Sequence, residues 1–79
     1  MYQKKVRELI AKVGVDAELL SDDTDLIEES ILESLGLIAL ISMMEEDFKI
    51  SLESVDYDIN NFRTINKLNA LIGKYKKWV

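Results

Sequence analysis

The sequence predicts an all-α fold: a four-helix bundle with three long helices, one short third helix, and a long loop between helices one and two. Three observations carry this. Apolar residues recur at helical spacing in three separate segments, the chain contains no proline, and a stretch dense in acids separates the first two periodic segments. The 79 residues suffice for one domain and no more, so residues 1–79 are read as a single unit.

The first helix covers residues 2–13. Val6, Leu9, Ile10 and Val13 fall at i, i+3, i+4 and i+7, the stripe of an amphipathic helix, and Gly14 supplies its stop. Residues 14–33 carry Asp16, Glu18, Asp22, Asp23, Asp25, Glu28, Glu29 and Glu33. Leu19 and Leu20, Leu26 and Ile27, and Ile31 and Leu32 punctuate them, and a long loop pinned to the core by these pairs is expected. Loops of such length are uncommon and often functional. A calcium loop does not fit. Counted from Asp22, the sixth position is Ile27 rather than Gly; counted from Asp23, the twelfth is Ser34 rather than Glu.

The second helix is expected over Ser34–Phe48, with Leu37, Leu40, Ile41, Met44 and Phe48 as its core stripe. Its other side is unusual. Leu35, Ile38, Ala39 and Ser42 form a second, mostly apolar strip bordered by Glu45 and Glu46. A helix apolar on two faces is either deeply buried or offers one face to a partner, and full burial is hard in so short a chain. The start of this helix has two readings. Ser30-Ile31-Leu32-Glu33 matches a capping box, which would begin it a turn earlier. Gly36 favours the later start at Ser34, because glycine is tolerated better near a helix end than in its middle.

Residues 49–58 return to loop, with Ile50, Leu52 and Val55 as expected anchors. Asp58 caps a short turn over Ile59–Phe62, and Thr64 caps a last helix running to Lys76. Ile65, Leu68, Ile72 and Tyr75 make its inner stripe. Lys74, Lys76 and Lys77 suit the negative end of its dipole. Trp78 either packs back on the core or frays.

Composition narrows the function. The chain has no Cys and no His, which removes disulfides, the usual zinc ligands and any Ser–His or Cys–His nucleophile. Gly14, Gly36 and Gly73 are its only glycines, too few and too scattered for a phosphate loop. A substrate or partner of enzymes is expected, not an enzyme, and no catalytic residue or metal site is assigned. No apolar run reaches membrane-span length and no secretory segment opens the chain, so the cytoplasm is the expected compartment. The net charge of −5 is unevenly placed. Residues 1–13 and 59–79 are basic, while residues 14–58 hold fourteen acids against the single base Lys49. Such a centre suits basic partner surfaces and disfavours nucleic acid. The plainer reading is a solvated acidic loop.

The run from Asp25 to Leu37, with Glu33-Ser34-Leu35 at its end, resembles the attachment region of the acyl carrier and peptidyl carrier protein family. There an acidic residue precedes an attachment serine that opens the second helix, and an apolar helix ending in acids and Phe follows. Glu45-Glu46-Asp47-Phe48 stands at that end, and Asn61-Phe62-Arg63-Thr64-Ile65 is similar to the family's short third helix and the start of its fourth. The resemblance spans nearly the whole chain. It implies one carrier domain over residues 1–79 that behaves as a monomer. It also implies a 4'-phosphopantetheine arm covalently attached to Ser34 by a phosphopantetheinyl transferase, and cargo held on that arm as a thioester. A cargo-loading ligase or acyltransferase and downstream synthase enzymes would be its partners, met through Glu33, Leu35, Ile38, Ala39, Ser42, Glu45 and Glu46. Glu33 replaces the usual Asp, Gly36 and Ala39 replace common acids, Ser30 replaces a common Gly and Ile27 a common Phe. These departures imply partners other than those of fatty-acid synthesis. The alternative is a carrier-like interaction module that is never modified and binds through Leu35, Ile38 and Ser42.

Overall fold

The computed structural model describes residues 2–32 and 34–76. Three α-helices form, α1 (Gln3–Lys12), α2 (Ser34–Phe48) and α3 (Ile65–Lys76). Three short 3-10 turns, Ala17–Leu19, Ser54–Asp56 and Ile59–Phe62, lie between them, and no strand occurs among the described residues. The all-helical bundle is as expected, but the fourth piece is a 3-10 turn and not an α-helix. Asp58 shapes it from two sides. Its side chain accepts from the Asn60 amide at 2.9 Å and its carbonyl accepts from the Asn61 amide at 2.8 Å, an i+3 closure.

The helices meet along the stripes their sequences carry. Val6, Leu9 and Ile10 of α1 pack with Leu40, Ile41 and Met44 of α2 and with Ile65, Leu68, Leu71 and Ile72 of α3. Leu71 is an addition to the expected stripe. Tyr75 packs against the core half-buried, with its hydroxyl engaged by Asp56. Leu37 and Phe48 sit at the edge of the core, half-buried. Tyr2 closes one end of the bundle. Its ring meets Phe48 edge-on, with centroids 5.6 Å apart, and its amide donates to Asn69 Oδ1 at 2.6 Å.

The helix ends follow ordinary capping chemistry. Gly14 adopts φ +96° and its amide returns to Ala11 O, which ends α1. Thr64 Oγ1 accepts from the Lys67 amide at 3.0 Å, the N-cap bond of α3. At the end of α2, Lys49 turns left-handed with φ +56°, and the Ile50 amide reaches back to Glu45 O at 3.0 Å. That is a Schellman closure with a non-glycine residue at its left-handed position. Lys76 Nζ adds a cation on Phe48 O at 3.1 Å.

The long connection between α1 and α2 is held rather than loose. One Arg7 nitrogen donates to the carbonyls of Ala17 and Leu20, and another meets Asp22 Oδ1 at 2.7 Å. From the other side, Arg63 pairs with Asp25 at 3.2 Å, and the Leu26 amide donates to Arg63 O at 2.6 Å. Asn66 joins the same segment through Asp22 O and Asp23 Oδ1. Each apolar pair of the loop divides between core and surface. Leu26 and Leu32 are buried, Leu20, Ile27 and Ile31 are half-buried, and Leu19 is 82% exposed. Leu19 is therefore no anchor; Ala17, two residues earlier on the same turn, is buried instead. In the second loop Leu52 is buried and Ile50 half-buried as expected, whereas Val55 is 76% exposed. Trp78 lies outside the described residues.

Asp56 locks the second loop to α3. It is buried and accepts from Lys74 Nζ at 2.8 Å and from the Tyr75 hydroxyl. Tyr75 in turn accepts from the Glu53 amide at 2.9 Å. The Lys74 ammonium foremost, then the Tyr75 hydroxyl, hold Asp56 below the usual carboxylate range against the opposing effect of burial. Its bond pushes the titrations of Lys74 and Tyr75 upward. Asp25 is lowered in the same sense, first by the Glu28 amide, then by the Ile27 amide and Arg63, again against burial.

Two predictions follow from these contacts. Ser30 and Lys49 both hold φ +56°, a conformation that costs a non-glycine residue about 1–2 kcal/mol. Ser30→Gly and Lys49→Gly should each stabilise the fold by about 0.5–1 kcal/mol once the extra chain entropy of glycine is subtracted, read as a higher urea midpoint. The second concerns acid. A carboxylate lowered in the fold stabilises it fully above the ordinary value of 3.8, and that contribution disappears as pH falls through the lower folded value. Asp56→Asn should lower stability at neutral pH and flatten the acid limb of a stability-against-pH curve. Urea midpoints measured from neutral pH downward check both effects.

Candidate functional site

Ser34 is the first residue of α2. Backbone geometry decides between the two possible starts. Ser30 sits at φ +56°, while a helix N-cap needs an extended backbone, so the helix cannot begin from Ser30. Residues 26–32 close on themselves instead: the Ser30 amide bonds Ile27 O at 3.1 Å and the Leu32 amide bonds Leu26 O at 2.9 Å. The glycine common in the family at position 30 thus coincides with a left-handed residue. The Asp25 side chain starts this closed segment by accepting from the Ile27 and Glu28 amides at 3.1 and 2.8 Å. Its grip by Arg63 fixes the segment against the start of α3. The first part of the run that carried the resemblance, residues 25–32, is therefore one closed segment, and its last residues, 34–37, open α2. Glu33 lies outside the described residues.

The outward side of α2 gathers most of the expected contact residues. Leu35 is 83% exposed and Ile38 60%, and Ala39, Ser42 and Glu46 share their exposure. At 3.6 residues per turn these positions make one strip running from the helix start to its acidic end. Glu45 stands apart. It is half-buried, and its carboxylate accepts from the Leu52 amide at 2.9 Å and from the Tyr57 hydroxyl at 3.5 Å. It ties the second loop to α2 as well as bordering the strip. That tie brings in exposed apolar residues which sequence reasoning did not select: Val55, Tyr57 and Ile59. They lie in a segment without helical period, so no spacing marked them, and Val55 in particular reads as an anchor in sequence.

The first turn of α2 offers a place for an anion. Four amides at a helix start have no partner within the helix, and the helix dipole is positive there. No acidic residue falls in that first turn to cancel it. Gly36 keeps the turn open on one side, since a Cβ placed there would meet only Leu32 Cδ2, at 3.9 Å. A phosphodiester at a helix start of this kind is electrostatically favoured. Among the described residues no group of three or more acidic, His or Cys side chains could hold a metal ion, and no helix is long and apolar enough to cross a membrane.

Comparison with known proteins gives the family. The family described as the phosphopantetheine attachment site matches residues 4–72. The D-alanyl carrier protein of Lactococcus lactis subsp. lactis (strain IL1403) is 35% identical over 75 residues, covering 94% of this chain and 95% of that protein. The acyl carrier protein of Buchnera aphidicola subsp. Baizongia pistaciae is 28% identical, covering 92% of each chain. A second D-alanyl carrier protein, from Lactococcus lactis subsp. cremoris (strain MG1363), is 34% identical over 71 residues. No solved structure matches significantly. A helical bundle whose second helix starts at a serine with an anion-favouring end, matched along almost its whole length by this family, belongs to the phosphopantetheine-binding carrier proteins.

Proposed function

We propose that Ser34 is the residue of this carrier that bears the 4'-phosphopantetheine arm. Carriers of this family hold cargo as a thioester on a pantetheine arm, so the terminal sulfur is imported and a chain without Cys brings no competing thiol. The observation that supports Ser34 is its position as first residue of α2, at a helix end free of its own acids. The chain contains no His to act as its base, so deprotonation falls to the modifying enzyme. In that step the serine oxygen bonds to phosphorus, the phosphoanhydride bond of coenzyme A breaks, and the nucleotide portion leaves. The chain then acts as the substrate of a phosphopantetheinyl transferase, of a ligase or acyltransferase that loads acyl or aminoacyl cargo, and of synthase enzymes that use it, all in the cytoplasm. The D-alanyl carrier relatives support an aminoacyl cargo and the acyl carrier relative an acyl one.

The strip of Leu35, Ile38, Ala39, Ser42 and Glu46, bordered by Glu45 and preceded by Glu33, is the surface we assign to these partners. Exposure of Leu35 and Ile38 also fits a module that binds partners without modification. One pair of experiments separates the two. Incubation with coenzyme A and a broad-specificity transferase should add one phosphopantetheine mass to the wild type and none to Ser34→Ala. An unmodified wild type, or an adduct that survives the substitution, rejects Ser34 as the site. Ile38→Asp should leave the urea midpoint within about 0.5 kcal/mol, as at other exposed positions. The same variant should slow modification or loading, measured by the rate of the mass change.

A further inference from the structure

Leu19 is 82% exposed, although the turn that carries it is firmly held. Arg7 donates to the carbonyls on either side of it, Ala17 O at 2.6 Å and Leu20 O at 2.8 Å. The Leu20 amide closes the turn on Ala17 O at 3.2 Å. Asp16 opens it by accepting from the Glu18 amide at 3.1 Å. The contacts that bury Ala17 therefore also fix Leu19 outward. Its exposure is set by the backbone of a clamped turn.

A groove of about 420 Å³ runs between α1 and this turn. Ala11, Val15 and Ala17 give it an apolar lining, and the exposed residues Glu8, Asp16 and Glu18 border it. Among the described residues none of these three carboxylates belongs to an ion pair. Two cations also line the groove, Lys4 and Arg7. The Arg7 charge is answered inside the fold by two carbonyls and Asp22. Lys4 alone is left against three acids, so the groove carries an excess of negative charge beside an apolar surface. No residue of α2 or of the loop after it lines the groove, which makes it a surface separate from the strip of Leu35, Ile38 and Ser42.

We propose that the groove and Leu19 form a second docking surface, whose occupant is a segment of a partner protein with apolar side chains flanked by lysine or arginine. The apolar lining and the outward Leu19 favour apolar side chains, since both lose contact with water when covered. The carboxylates without ion-pair partners favour cations at the flanks and repel an anionic ligand such as a fatty acid. Arg7 has already ordered the turn, so docking requires little further loss of conformational freedom. A partner seated here leaves the α2 strip uncovered. The carrier can thus be held by one protein while another acts at α2.

Peptides test this on the full chain. The probe is the end-blocked pentapeptide Lys-Leu-Phe-Leu-Lys, with Glu-Leu-Phe-Leu-Glu as its control, each titrated to millimolar concentration into isotopically labelled protein. With the lysine peptide, amide resonances of Ala11, Val15, Ala17 and Leu19 should shift while those of Leu35, Ile38 and Ser42 stay in place. The glutamate peptide should bind about tenfold more weakly. Glu18→Lys and Leu19→Ser, both at exposed positions, should each weaken the lysine peptide about fivefold and leave the urea midpoint unchanged. Equal binding of the two peptides, shifts centred on α2, or no shift at millimolar peptide overturns the proposal. Shifts of the same groove residues on raising the protein concentration without peptide also overturn it, by making a second copy of the chain the occupant.

Discussion

The grip of Arg7 and Arg63 on the acidic connection is what turns a long loop into a platform for α2. An isolated surface ion pair is worth about 0–1 kcal/mol, which would not order so many residues. Arg7 does more than pair. It answers two backbone carbonyls and one carboxylate at once, so its charge is spent on groups that would otherwise need water. Arg63 works through both ends of its residue: the guanidinium holds Asp25 and the carbonyl holds the Leu26 amide. Leu26 is thereby driven into the core, and the closed segment that follows hands the chain to Ser34 at a fixed position.

The same clamps revise what the charge segregation means. The sequence has basic ends and an acidic centre, a pattern that reads as an outward field for basic partners. Every ion pair among the described residues joins one basic end to that centre: Lys5 to Asp47, Arg7 to Asp22, Arg63 to Asp25 and Lys74 to Asp56. Part of the segregation is therefore internal, specifying which segments of the chain come together. Glu28, Glu29, Glu46, Glu53 and Asp58 are exposed and outside these pairs, and they carry the outward field. Neutralising Asp25 or Asp56 would act on the fold first, while neutralising Glu46 or Glu53 would act on encounter rates.

The helices were legible because period, caps and stops agree. The four-residue stripe of α1 ends on Gly14 in the left-handed region, Thr64 caps α3 through Lys67, and α2 spans the residues its pattern indicates. Loop anchors were not legible. Where no period operates, Leu19 and Val55 look as apolar as Leu26 and Leu52, and only the backbone path decides which turn inward. The serine at position 30 illustrates the same gap. Its residue type and the Glu three places on suggest a cap, but a left-handed φ, invisible in sequence, excludes it. The site's outer strip could be read from the two apolar faces of α2.

On the proposal that Ser34 bears the arm, two physical demands meet at the start of α2, and they pull in opposite directions. The attachment point must be rigid enough for an enzyme to recognise, yet the arm it holds must swing between partners. The fold separates these demands by element. Rigidity comes from below, where Leu40, Ile41 and Met44 fix α2 against α1 and α3. Outward, Leu35 and Ile38 stay largely in water although each has apolar area whose burial would favour the fold by roughly 25 cal/mol per Å². Among the described residues no further element covers them, so that free energy is available to a partner that docks.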